Sequence, residues 1–302
     1  MLGQNITIIG GSGGMGKVFA SYFKKHGFIV TLYARDKKKL TEASRELGVN
    51  SSTNLEESVK NADIIMISIP IKKTTEMVNK VTPLMKKNAL IFDITSLKFS
   101  VFKALKDASL RYPINCVSLH PMFGPGIKKM ENYVIIALKI GGTKNYKEII
   151  DELFAIFESD GIIITHTTPE EHDKRMALTL AVPHMFNILF LNLLRKSGIA
   201  LNELTRFTGT TFLLQKVFAE SIIQREMEMF GEIQMENLQF YEILDLFETL
   251  VKDYKEIIQN NRESAFKEVF SNGLEYSRED DHFEKSYKYF YEFMKVLKRE
   301  PL

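Results

Sequence analysis

The sequence predicts an α/β fold in which a doubly wound, mostly parallel sheet is followed by an all-helical domain. Three observations predict it. Short continuous apolar runs alternate with amphipathic stretches from Asn5 to about Thr165, a glycine cluster follows the first run, and the strand signal stops after Thr165. Runs that are continuous rather than alternating mark strands covered on both faces. Strand–helix alternation marks parallel order in the sheet.

In chain order, the strand runs cover 6–9, 29–33, 64–69, 90–94, 117–119, 134–138 and 162–165. Helical signals lie between them. Thr53-x-x-Glu56 and Asn145-x-x-Glu148 have the capping-box pattern, and Gly27 and Gly48 follow helical stretches where a C-terminal cap is expected. Beyond Thr165, residues 170–196 form a long helical run containing Pro183, which predicts a kink or break there. Leu238, Tyr241, Leu244, Phe247, Val251, Tyr254 and Ile258 recur at three- and four-residue steps, as do Phe283, Tyr287, Phe290, Met294 and Leu297. The domain boundary falls at Thr167-Thr168-Pro169, giving a first domain over 1–168 and a helical one over 169–302. Large side chains such as Met185, Phe186, Phe190, Phe207 and Phe218 fill the helical core or, in part, a homodimer interface.

Composition narrows the function. Apolar residues make up 45% and charged residues 26% of the 302, the mix of a globular chain rather than a disordered one. Forty basic against 38 acidic side chains leave a formal +2, too balanced for a surface that grips nucleic acid or an anionic membrane. The lone Cys116 excludes a disulfide framework and a cysteine-based zinc site. No unbroken apolar run reaches the roughly 18 residues of a membrane span, and the N-terminal run leads straight into glycines rather than a cleavage site. A cytoplasmic location is expected. The histidines lack H-x-x-x-H or H-x-x-H spacing, so no metal site is expected.

Gly11, Gly13 and Gly16 spell G-x-G-x-x-G between the first strand and the helix after it. That placement predicts a Rossmann-type dinucleotide site: a tight turn, close approach of backbone to a pyrophosphate, and helix N–H groups facing the phosphates. Ser12, Gly14 and Met15 share the loop, and Ser68 and Pro70, at the end of the 64–69 run, complete the residues assigned to the cofactor. At the end of the second strand, Ala34 stands where an acid usually holds a ribose 2′-hydroxyl, and Arg35 follows. A missing carboxylate and an added guanidinium favour NADP over NAD. Asp36 keeps NAD open, because a one-residue shift would bring its carboxylate to the ribose.

Two further segments follow strands, where an open α/β sheet forms its crevice: D-I-T-S-L-K at 93–98 and H-P-M-F-G-P at 120–125. His120, stiffened by Pro121, suits proton transfer near neutrality; position alone equally fits a turn residue bonded to backbone. His172 and Asp173 read as a pair at the domain junction with a mainly structural role.

Taken in order, G-x-G-x-x-G, D-x-x-S-x-K and H-P-M-F-G-P, followed by a helical half with Glu171-His-Asp173, Val182-Pro-His184 and Leu204-Thr-Arg-Phe207, resemble the prephenate dehydrogenases of tyrosine biosynthesis. The resemblance implies oxidative decarboxylation of prephenate, or of arogenate, on a cofactor domain joined to a helical dimerisation domain. It further implies that His120 is the catalytic histidine on the substrate's ring hydroxyl and that Ser96 orients it. Arg206 would grip a substrate carboxylate, His184 would line the substrate pocket, and Lys98 would lie near the ring end. On this reading His120 and Arg206 converge on one dianionic substrate beside the dinucleotide, with neither a mutase domain before the chain nor a regulatory domain after it. There are departures. Where many relatives read S-H-x-P-H, this chain has Leu180-Ala-Val-Pro-His184, and the G-T-E-like segment is Gly124-Pro-Gly-Ile-Lys128. Both bear on side-chain selectivity rather than on hydride chemistry. A β-hydroxyacid dehydrogenase would carry K-x-x-N on the inter-domain helix, but Ala177 follows Lys174 at that spacing. A non-catalytic NADP-sensing regulator would not require His120, Ser96 and Arg206 together.

Overall fold

The computed structural model describes residues 2–297. The chain divides into two compact units, Met1–Met176 and Ala177–Leu302. The sequence places the boundary one helix earlier, before Pro169. That helix belongs with the first unit because His172 and Asp173 on it are bonded to residues of the sheet unit.

The first unit contains the strands β1 (Asn5–Ile9), β2 (Ile29–Tyr33), β3 (Asn50–Ser52), β4 (Ile64–Ile67), β5 (Leu90–Asp93), β6 (Asn115–Pro121), β7 (Val134–Gly141) and β8 (Ile163–His166). Its helices are α1 (Gly14–Lys25), α2 (Lys37–Leu47), α3 (Leu55–Lys60), α4 (Ile71–Val81), α5 (Phe99–Arg111), α6 (Tyr146–Ser159) and α7 (Pro169–Met176). The strands form one sheet in the order β3-β2-β1-β4-β5-β6-β7-β8. Every neighbouring pair is parallel except β6–β7, which is antiparallel. Strand residues alternate between two cores. Ile8, Met66, Phe92 and Val117 face one with Phe19, Phe23 and Phe157 from α1 and α6, while Ile9, Ile67, Ile91 and Cys116 face the other with Val59, Val78 and Leu105 from α3, α4 and α5. Burial on both faces is why these strands read as unbroken apolar runs.

Three local details depart from the sequence expectation, one being that Asn145 precedes α6 without a side-chain capping bond. β3 was not expected, because Asn50-Ser-Ser52 offers no apolar signal; its place at the sheet edge does not need one. The capping box at Thr53 is displaced by one residue, since Asn54 caps α3 by accepting from the Glu57 N–H at 3.2 Å. Asparagine is at least as good a cap as threonine.

The second unit is helical throughout its described residues: a π turn at Ala177–Ala181, then α8 (Val182–Lys196), α9 (Leu201–Thr205), α10 (Thr210–Ile223), α11 (Met227–Met235), α12 (Gln239–Gln259), α13 (Glu263–Ser277) and α14 (Ser286–Leu297). The π turn is how the chain accommodates Pro183. Proline lacks an N–H and its ring crowds the carbonyl four residues back, at Thr179, so the turn widens instead of breaking. By length and composition alone, the helical stretch Pro169–Lys196 is apolar enough to cross a membrane. A search for an unbroken run misses it, because Thr179, His184, Asn187 and Asn192 interrupt the apolar residues. Phe186, Leu189 and Leu193 on α8 and Tyr241, Leu250 and Tyr254 on α12 are exposed.

Candidate active site

The glycine loop joins β1 to α1 beside β4, at the point where strand order reverses. In such sheets ligands bind outside the carboxyl ends of the strands at this switch point. The Gly10 and Gly11 N–H groups donate to the Tyr33 carbonyl at 2.9 and 3.2 Å, which pins the loop to the end of β2. Gly16 packs directly on the turn, where a β-carbon would lie 2.5 Å from the Gly10 carbonyl oxygen. Gly10, just ahead of the motif, is not marked by its spacing. It has φ +85°, and a β-carbon there would lie 2.0 Å from the Ser68 carbonyl oxygen. No side chain caps α1 at Gly13, so its first-turn N–H groups remain for an anion. Backbone this close, with no side chain in the way, fits a pyrophosphate. Ser12, Met15 and Ser68 are half-buried around the loop, Gly14 is exposed, and Pro70 precedes α4.

At the end of β2, Ala34 is buried and Arg35 exposed. One oxygen of Asp36 accepts from the Lys38 and Lys39 N–H groups at 3.0 and 3.1 Å, capping α2. Its carboxylate is thereby anchored to its own helix.

Further along the same sheet edge lies a buried polar cluster. Asp93 ends β5, fully buried. One of its oxygens accepts from Lys98 Nζ at 2.7 Å and from the Thr95 N–H at 2.9 Å, while the other accepts from the Ser118 hydroxyl. Lys98 is 0% exposed and also donates to the Leu119 carbonyl at 2.6 Å. Burial pulls the Lys98 pKa down, and the Asp93 carboxylate pulls it partly back. Lys98, expected near the substrate ring, thus has its ammonium engaged inside the protein, holding the peptide immediately before His120. Ser96 is half-buried in the turn between Asp93 and Lys98.

His120 lies on β6 and is 4% exposed. Its Nδ1 is 2.9 Å from Nε2 of His172, whose Nδ1 is 2.7 Å from Oδ1 of Asp173. Asp173 also accepts the Lys98 N–H at 2.8 Å and the Phe99 N–H at 3.0 Å, which caps α5 with a carboxylate from α7. Burial drives the His120 pKa well below its ordinary value, assisted by His172 and by the Lys98 charge. Burial also lowers His172, against the opposing pull of Asp173. Both shifts favour the neutral ring, and a neutral imidazole can accept a proton. The pairing of His172 with Asp173 was legible as adjacency in the sequence. Their contact with His120 was not.

The other assigned residues belong to the second unit. Arg206 follows α9 and is exposed. His184 on α8 is half-buried and stands edge-on to Phe230, centroids 4.6 Å apart. Its buried Nδ1 has no hydrogen-bond partner among the described residues. Burial, aided by the Arg225 charge, lowers its pKa to about 4.

The fold and its glycine loop define a class, the Rossmann-type nucleotide-binding proteins that carry a second, helical domain. The chain belongs to the prephenate dehydrogenase family: residues 19–134 match that family's nucleotide-binding domain and residues 168–272 its dimerization domain. It is 29% identical over 264 residues to a probable arogenate/prephenate dehydrogenase of Methanocaldococcus jannaschii, covering 87% of this chain and 59% of the relative. It is 25% identical over 270 residues to the T-protein of Haemophilus influenzae, covering 88% of this chain and 65% of that one. The chain thus spans roughly three fifths of the length of these curated relatives. Among solved structures, its fold is similar to a prephenate dehydrogenase from A. aeolicus in complex with hydroxyphenyl propionate and NAD+, with a TM-score of 0.72, 21% identity and 91% and 99% of the two chains covered. It is also similar to Synechocystis arogenate dehydrogenase, with a TM-score of 0.65, 17% identity and 90% and 99% covered.

Proposed function

We propose that the chain converts prephenate to 4-hydroxyphenylpyruvate and CO₂ at the expense of a nicotinamide dinucleotide, with NADP favoured over NAD. The observation that supports this most is His120, a buried neutral imidazole at the carboxyl end of β6 whose Nε2 takes no hydrogen bond from the described residues. The bound nicotinamide supplies the acceptor for the hydride that leaves the ring carbon bearing the hydroxyl. As that hydride departs, positive charge develops on the hydroxyl oxygen, and Nε2 of His120 holds the hydroxyl proton. The electron pair of the breaking C–CO₂ bond then completes the aromatic ring. Ser96 orients the hydroxyl or the imidazole. Arg206 grips one of the two substrate carboxylates with a planar fork that lysine does not reproduce, and His184 lines the side-chain end of the pocket. The protein acts as a cytoplasmic homodimer joined through its helical domain, which covers the exposed apolar residues of α8 and α12.

Mixing the purified chain with prephenate or arogenate and either oxidised dinucleotide, while following the reduced-nicotinamide absorbance, tests the reading. Turnover of prephenate is expected, and turnover of neither substrate sinks it. Arogenate is the second reading, supported by the names of the relatives; a preference for it in the same assay would replace prephenate.

Two variants probe the assignments. Arg206→Ala should raise the substrate KM at least about tenfold, the loss expected for a charge-assisted contact of about 1.5–3 kcal/mol, with the nucleotide KM unchanged. Collapse of nucleotide affinity instead would put Arg206 in the other site. Arg35→Ala should weaken NADP⁺ binding by about tenfold or more and spare NAD⁺. Equal effects on both would remove the guanidinium from 2′-phosphate recognition.

A further inference from the structure

The geometry points to His172 and Asp173 as positioning residues that fix which nitrogen of His120 carries its proton. This rests on the reading of His120 as the group that holds the substrate's hydroxyl proton. Asp173 receives donors at both of its oxygens, from the Lys98 and Phe99 backbones and from His172. An ionised carboxylate only accepts, so the proton between it and His172 sits on His172 Nδ1. A neutral imidazole then presents a bare lone pair at Nε2. That atom lies 2.9 Å from His120 Nδ1, and two lone pairs do not face each other at this distance, so His120 carries its proton on Nδ1. Its Nε2 is left as the acceptor. With His172 neutral, the chain of donors runs one way, from His120 through His172 to Asp173.

Asp173 alone would suffice to cap α5, so the cap does not explain why an imidazole is interposed between it and His120. Nor does packing, since an apolar ring would fill the same volume without a partner for the His120 proton. All three side chains lie in the first unit.

Two variants separate orientation from bulk. Glutamine at 172 places an amide oxygen near the position of Nε2 and can accept from His120, whereas leucine cannot. His172→Leu should lower kcat by about 10²-fold, at the low end of what a proton acceptor contributes, with substrate KM little changed. His172→Gln should recover most of that loss.

The direct readout is the ¹⁵N spectrum of histidine-labelled full-length protein, with the His120 signals identified by their disappearance in His120→Asn. His120 and His172 should both be Nδ1-protonated in the unmodified chain. His120 should shift toward Nε2 protonation in His172→Leu and not in His172→Gln. Nε2 protonation of His120 in the unmodified chain would overturn the proposal, and so would equal kcat for the leucine and glutamine variants. The unmodified spectrum needs no variant, so the test stands even if His172→Leu fails to fold. Because it needs no turnover, it also judges the relay if the chain uses neither prephenate nor arogenate.

Discussion

His120→Asn should bind dinucleotide within about twofold of the unmodified protein and lose 10²–10⁴-fold in kcat, the range spanned by a positioned acid–base group. The choice of asparagine matters. Its amide nitrogen sits close to where Nδ1 lies in histidine, so it can still donate toward His172 Nε2, now 2.9 Å from Nδ1. It has no atom at the Nε2 position. The substitution thus preserves the buried hydrogen bond and removes only the acceptor. Steady-state kinetics with saturating dinucleotide, together with a binding titration, measure both quantities. Near-normal kcat would show that proton transfer passes through another group, and a lost dinucleotide site would show that His120 organises the fold rather than the reaction.

Lys98→Met should be the most destabilising single change in the sheet unit, by about 3–5 kcal/mol, because it leaves a buried carboxylate without its cation. Asp93 would retain only Thr95 and Ser118 as donors, and the Leu119 carbonyl would lose its donor altogether. At about 2–4 °C per kcal/mol for a domain of this size, thermal unfolding should fall by roughly 6–20 °C. Removing both charges, in Lys98→Met with Asp93→Leu, should recover part of the loss, as expected where the cost lies in the unpaired ion rather than in the pair. An unchanged melting temperature accompanied by a raised substrate KM would instead return Lys98 to the substrate side, where the family resemblance places it.

Lys98 also shows what a sequence can and cannot disclose. D-x-x-S-x-K marks a lysine worth noticing, but its spacing does not reveal that the turn folds back and brings the ammonium to its own strand end. The sheet was legible because burial on both faces leaves unbroken apolar runs. Ile29–Tyr33 matches its predicted run end to end, while the polar edge strand Asn50–Ser52 left no such trace. The glycine loop was legible through its spacing, apart from Gly10, whose need to be glycine comes from the Ser68 carbonyl just beyond β4. The same holds for His172. Its adjacency to Asp173 is visible in the chain, but its contact with His120 spans 52 residues and exists only once β6 and α7 are packed.

The widened turn at Ala177–Ala181 constrains how this gene can change length. A π turn is an α turn holding one residue more, so losing a residue there would leave an unbroken and more regular helix. The same deletion would nevertheless press Pro183 into a turn with no slack, its ring against the carbonyl four residues back. Single-residue deletion libraries across this stretch should therefore yield proteins that keep the helical signal of the unmodified chain by circular dichroism yet are inert, whereas substitutions at the same positions are far better tolerated.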